Sequence, residues 1–182
     1  RRLDQPWPAV DRAALVQDSP PGLWSLDLEA ERPVPLAFDN VGTDSDGDGR
    51  DDIHRTNFSD DSNVLYRNDG GGNFTETTFL AGLGEVTLPC LGWGTNFFDY
   101  DHDGWLDLLT ANGHVYPQVD RFPLGMEYLQ PAQLFEFDGR RFVEPAGRGG
   151  KAFALKSAGR SSATGDVDGD GDLDLLIENL DG

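Results

Sequence analysis

Asp44, Asp46, Asp48 and Asp52 are spaced across nine residues in a pattern that recurs twice, at Asp99, Asp101, Asp103 and Asp107 and at Asp166, Asp168, Asp170 and Asp174. Counted from its first Asp, each stretch carries carboxylates at positions 1, 3, 5 and 9 and a glycine at position 6: Gly49, Gly104 and Gly171. Alternate carboxylates followed by glycine let a short backbone curl around one hard cation. The side chains at 1, 3 and 5 supply oxygens, and the glycine permits the reversal that brings in the carbonyl of position 7. That carbonyl belongs to Arg50, Trp105 and Asp172. Every ligand offered is an oxygen, which selects Ca²⁺ over Zn²⁺. Up to three calcium sites are expected. The competing reading is a solvated acidic turn without metal, and it weighs most for the first loop, whose flanks are less apolar.

The EF-hand shares the first half of this pattern but needs a bidentate Glu at position 12 and a helix on either side. Position 12 is Arg55, Thr110 and Ile177, none of which closes a coordination sphere. The closing carboxylate is therefore expected at position 9: Asp52, Asp107 and Asp174. Leu106 to Thr110 and Leu173 to Ile177 are short apolar runs that read as buried strands, so each loop is expected to join two strands.

The chain of 182 residues is long enough for one domain with a core. Its formal charge of −19 argues against nucleic acid or an anionic membrane surface as partner. The three loops hold 14 Asp, and three bound Ca²⁺ would bring the charge to −13. With 23 Gly and 11 Pro beside ordinary aromatic content, the chain reads as turn-rich and folded. No apolar run approaches the length of a membrane span. Cys90 is the single cysteine, so it is a buried apolar thiol or pairs with another chain. The chain opens Arg1-Arg2 without Met, and a processed or excised piece is expected.

Residues 1–36 are punctuated by proline and read as a connection or part of a preceding unit, with one strand around Leu23 to Leu28. From residue 37 a repeat governs the chain. Its loops start at 44, 99 and 166, and five residues beyond each closing Asp stands an Asn: Asn57, Asn112 and Asn179. Seven residues before the loop stand Gly92 and Gly159 in the second and third copies, and Ala37 in the first. Asn63 to Asn68 followed by Asp69-Gly70-Gly71-Gly72 and Asn73 to Glu76 reads as a hairpin. So does Gln133 to Phe137 followed by Asp138-Gly139-Arg140 and Arg141 to Glu144. An Ala-Gly follows each, at Ala81-Gly82 and Ala146-Gly147. One unit is thus strand, metal loop, strand, connection, strand, glycine turn, strand. Four short antiparallel strands per unit predict an all-β fold of β-propeller blades at about 37–91, 92–158 and 159–182, the last incomplete. This is a partial propeller of 2.5 to 3 blades, and the missing strands are expected from the rest of a longer chain or from neighbouring copies.

The loops resemble the calcium sites of FG-GAP/VCBS-type β-propeller repeats. Gly92 to Asp101, Gly104 to Leu109, Ala111 to Pro117, Asn63 to Phe74 and Glu178 to Gly182 are similar to the ASPIC/UnbV, or cartilage acidic protein, group. The resemblance covers residues 40–182 and implies a secreted calcium-binding propeller, extracellular or periplasmic. Two departures predict a distorted first blade: the strand before the first loop is weak, and Arg55 follows Ile53-His54 where a second apolar pair belongs.

Other chemistry has little support. His54, His102 and His114 are not paired at ligand spacing. His102 is expected to face solvent and His114 to brace a turn. No general acid and base stand outside the loops, so no enzymatic activity is expected. The favoured reading is a structural, adhesion or assembly module. The alternative is a carbohydrate-binding or polysaccharide-degrading propeller that uses the 113–132 insertion, giving a protein or glycan ligand.

Overall fold

The computed structural model describes residues 24–27, 32–35, 40–123, 125–145 and 150–180. Its strands are β1 (Trp24–Asp27), β2 (Arg32–Pro35), β3 (Asn40–Thr43), β4 (Asp52–Arg55), β5 (Val64–Gly70), β6 (Asn73–Glu76), β7 (Gly92–Phe98) and β8 (Asp107–Asn112). They continue as β9 (Gln130–Pro131), β10 (Gln133–Phe137), β11 (Phe142–Val143), β12 (Lys156–Ser157), β13 (Gly159–Gly165) and β14 (Asp174–Asn179). One helical turn, α1 (Gly84–Thr87), lies between the first two units. No helix among the described residues is long and apolar enough to cross a membrane.

Two antiparallel four-stranded sheets, β3-β4-β5-β6 and β7-β8-β10-β11, form the first and second blades, and the pair β13-β14 begins a third. The all-β reading and its blade pattern hold. In both full blades the acidic loop joins the first strand to the second, and a glycine turn joins the third to the fourth. Gly70, Gly71 and Gly72 take φ of 84°, 62° and 77°, and Gly139 takes 84°, conformations that side chains resist. The first blade is not distorted at its entry. Asn40 to Thr43 pair residue by residue with Arg55 to Asp52, because backbone hydrogen bonds do not need a continuous apolar run.

Blade-to-blade packing makes the core. Every residue of β8 is buried. Alternate side chains of a strand point to opposite faces, so Leu108 enters one cluster with Leu65, Leu83, Phe135, Phe137 and Phe142. Leu109 enters the other, with Phe98 and Leu134 and with Leu175 of β14 packed alongside. The second blade is therefore sandwiched, which explains why its apolar run is continuous rather than alternating. β14, expected to be buried for the same reason, is not: Leu176 is 69% exposed, because no described element covers that face.

Small residues let the blades approach. A Cβ placed on Gly94 would lie 2.5 Å from the backbone nitrogen of Ser162 in β13, and one on Gly113 2.7 Å from Cα of Ala158. The 113–132 insertion is anchored at its far end, where Gln130 and Pro131 pair with Ser157 and Lys156. Ahead of the first blade, β1 and β2 form an antiparallel hairpin in which Trp24 pairs with Pro35 along the backbone, so the strand expected there is present. Ala37, Ala146 and Gly147 lie outside the described residues.

Candidate metal centres

Each acidic loop is held by one repeated set of hydrogen bonds. The position-1 carboxylate accepts from the backbone N–H groups of positions 5 and 6. Asp44 takes Asp48 and Gly49 at 2.9 Å each, Asp99 takes Asp103 at 3.1 Å and Gly104 at 3.0 Å, and Asp166 takes Asp170 and Gly171 at 3.1 Å each. The position-5 carboxylate accepts from position 7: Arg50 to Asp48 at 3.0 Å, Trp105 to Asp103 at 2.8 Å and Asp172 to Asp170 at 3.0 Å. Short Asp side chains favour such local turns over helix or ladder.

The curl needs two left-handed residues per loop rather than one. Position 6 is always glycine, at φ 86°, 92° and 96°, and position 4 is Gly47 at 77°, His102 at 61° and Gly169 at 77°. The glycines at position 4 of the first and third loops were the sequence signal for this. His102 pays for the same backbone with strain that glycine avoids.

Position 9 ties each of the first two loops to the rest of its blade. Asp52 and Asp107 are 1% exposed. One oxygen of each accepts from position 2: Ser45 N–H at 3.2 Å and Ser45 Oγ at 2.6 Å for Asp52, and Tyr100 N–H at 2.9 Å for Asp107. The other oxygen accepts from the third strand of the blade, Asn68 N–H at 2.8 Å and Phe137 N–H at 2.9 Å. Asp174 accepts from Val167 N–H at 2.9 Å.

Three carboxylates in each loop approach one another with oxygens within 4.8 Å: Asp44, Asp46 and Asp48; Asp99, Asp101 and Asp107; Asp166, Asp168 and Asp174. Asp52, Asp103 and Asp170 lie outside these triplets, bound instead to backbone N–H groups. Arg50 turns its guanidinium onto Asp48 and donates from Nε to Asn68 O at 2.6 Å, so the first loop carries an internal cation that the others lack.

The electrostatics favour a bound cation. Burial and then the charges of Asp52, Asp48 and Asp44 push the Asp46 carboxyl up. Burial pushes Asp107 up as well; the N–H groups of Tyr100 and Phe137 oppose this, and Asp101 and Asp103 add to it. Crowded carboxylates whose charge is disfavoured gain most from a divalent ion. The donor set fits Ca²⁺: hard oxygens only, on a loop short enough to bring backbone carbonyls to the same point.

The remaining histidines are structural. His114 Nδ1 accepts from Tyr116 N–H at 3.1 Å, bracing the turn that starts the insertion. His102 is exposed, yet it does not face solvent alone: its Nε2 lies 3.3 Å from Asp172 Oδ1 of the third loop. His54 is buried between the first two blades, with Nδ1 3.1 Å from Thr95 Oγ1, and burial lowers its pKa to about 3. Trp93 packs rather than reaching out. Its Nε1 donates to Gly113 O at 2.8 Å, and the Arg160 guanidinium sits 4.6 Å over its ring.

No curated protein matches the chain. Residues 44–110 match the FG-GAP-like repeat model, and residues 158–179 match the FG-GAP repeat model. The first match runs from Asp44 through the first blade and the second acidic loop to Thr110; the second spans β13, the third loop and β14. The chain carries FG-GAP repeats, and its four-stranded antiparallel sheets are consistent with FG-GAP propeller blades.

Proposed function

We propose that this chain is a secreted calcium-binding propeller module of the ASPIC/UnbV type, without catalytic activity, whose role is structural, adhesive or in assembly. The observation that carries this reading is the threefold recurrence of one loop with three carboxylates in mutual reach, each loop at the same place in its blade. FG-GAP repeats commonly bind calcium at such loops. Calcium would be held by Asp44, Asp46 and Asp48, by Asp99, Asp101 and Asp107, and by Asp166, Asp168 and Asp174. It would screen their repulsion and add its binding energy to folding. The module works outside the cell or in the periplasm, as one part of a larger propeller. Calorimetric titration with CaCl₂ tests the reading: binding at up to three sites supports it, and no heat at millimolar calcium defeats it.

A second reading has one observation in its favour. Tyr116 and Phe122, on the 113–132 insertion, are 62% and 58% exposed, as a carbohydrate platform requires. A glycan-array screen with Tyr116→Ala as control separates a lectin from a purely structural module.

A further inference from the structure

The three acidic loops touch one another in register. Trp105, position 7 of the second loop, lies against Gly47, position 4 of the first. A Cβ on Gly47 would come within 2.9 Å of the indole Cζ3. The same indole packs edge-on against Phe137 of its own blade at 5.6 Å between centroids, and Cε2 stands 3.9 Å from where a Gly139 Cβ would be. It is therefore held on one side by the second blade's hairpin and on the other by the first blade's loop. The relation repeats one blade further on. Asp172, position 7 of the third loop, lies 3.3 Å from His102, position 4 of the second.

Both ends of this contact belong to the cation-binding curl. Position 4 stands between the carboxylates of positions 3 and 5 and is fixed in a left-handed conformation. Position 7 donates its N–H to the position-5 carboxylate, at 2.8 Å for Trp105, and is the residue whose carbonyl the loop chemistry offers to the metal. A cation that orders one loop thus sets the surface on which the next loop's seventh residue rests.

We propose that the metal loops of adjacent blades are coupled through this seat of position 7 on position 4, so that calcium bound at one loop raises the affinity of its neighbour. The inference rests on the calcium reading above. The first cation orders groups that the second would otherwise have to order itself, which is positive cooperativity without any change of fold. The link between loops one and two is an indole seated against Gly47 and Phe137 and 39% exposed. The link between loops two and three is an exposed His–Asp contact with side chains 60% and 81% accessible. Coupling is accordingly stronger across the first pair.

The test is a double-mutant cycle on the 182-residue chain, read as calcium affinity by calorimetry, with Asp168→Asn throughout to silence the third loop. Disabling loop one with Asp46→Asn should weaken loop two about fivefold or more, within the usual span of coupling between sites. In the Trp105→Ala background the same change should weaken loop two less than twofold. An equal loss in both backgrounds would show long-range charge alone and overturn the proposal. Should Trp105→Ala fail to fold, the unmodified chain still decides. Its calcium titration, followed by tryptophan fluorescence, should give a Hill coefficient above 1. Three independent sites would overturn the coupling and leave the calcium reading standing, whereas no calcium binding at all would remove both.

Discussion

Phe137 donates its backbone N–H to Asp107 across 30 positions of sequence, at 2.9 Å, while the other oxygen of Asp107 accepts from Tyr100. One buried carboxylate therefore joins the acidic loop to the third strand of its blade. Asp52 does the same with Asn68 in the first blade. Asp107→Ala should cost stability even in chelator, about 2–4 kcal/mol, because two backbone donors lose a charged partner at a site 1% exposed. Among the described residues Asp174 holds only Val167 and is exposed, so water can replace the lost partner and Asp174→Ala in chelator should cost far less than Asp107→Ala. Urea denaturation in EDTA compares them, and equal losses would refute this division of labour.

In calcium a second contribution enters. Removing the metal should lower the melting temperature of the whole chain, because three carboxylates per loop are left within 4.8 Å of one another. Asp174→Ala should reproduce part of that drop. Asp172→Ala should not, since position 7 offers only its carbonyl and the Asp172 side chain meets His102 at the surface, where such pairs contribute little. Differential scanning fluorimetry with and without EDTA reads both. A drop for Asp172→Ala matching that for Asp174→Ala would show that the loop register is misassigned.

The acidic repeat, the hairpins and the blade pattern were legible because each rests on local chemistry: Asp and Gly at fixed offsets, aromatic strands around glycine turns. What escaped depends on distant partners. Nothing near Trp105 in the chain indicates that it will rest on Gly47, 58 positions earlier. Position 9 was legible as a carboxylate but not as a link to Asn68 or Phe137, because the donor arrives from a strand that the sequence does not align with it. Leu173 to Ile177 has the composition of a buried strand, as Leu106 to Thr110 does, yet burial depends on which blades stand on either side.

His54 gives a pH signature. Its ordinary pKa of 6.5 falls to about 3 in the folded chain, so the unfolded state binds the extra proton. The folded state's advantage is complete above pH 6.5 and is lost as the pH falls from there toward 3. At pH 5 the loss is about 2 kcal/mol for this one group. Urea denaturation of wild type and His54→Leu at saturating calcium, from pH 7.5 to 5, should show the wild type losing this much more than the variant. Parallel curves would mean that His54 is solvated in the folded state.

Cys90 is held as a thiol. Burial, with Glu144 adding to it, pushes its pKa from 9.0 up to about 11. The thiolate is the reactive form, so alkylation by iodoacetamide at pH 8 should run about 100-fold slower in the folded chain than in urea. Comparable rates in the two conditions would place the sulfur at an open surface, where pairing with another chain becomes the better account.

The edge of β14 carries the last prediction. In the second blade the strand after the acidic loop is β8, paired on both sides and buried throughout; in the third blade it is β14, paired with β13 alone among the described residues. Leu176 on that strand is 69% exposed and Leu180 beyond it 64%, beside an open row of backbone donors and acceptors. Such an edge pairs with any strand of suitable register unless it is blunted by charge. The 182-residue chain by itself should therefore self-associate at micromolar concentration. Leu176→Lys should reduce that association and change stability by no more than about 0.5 kcal/mol, as surface substitutions do. Leu109→Lys, at a position fully buried between blades, should instead prevent folding. Hydrogen exchange should run faster across β14 than across β8, by a factor that association reduces. Sedimentation velocity on wild type and Leu176→Lys is the decisive measurement: a wild-type chain that stays monomeric at high concentration, with β14 as protected as β8, would show that this edge is already covered.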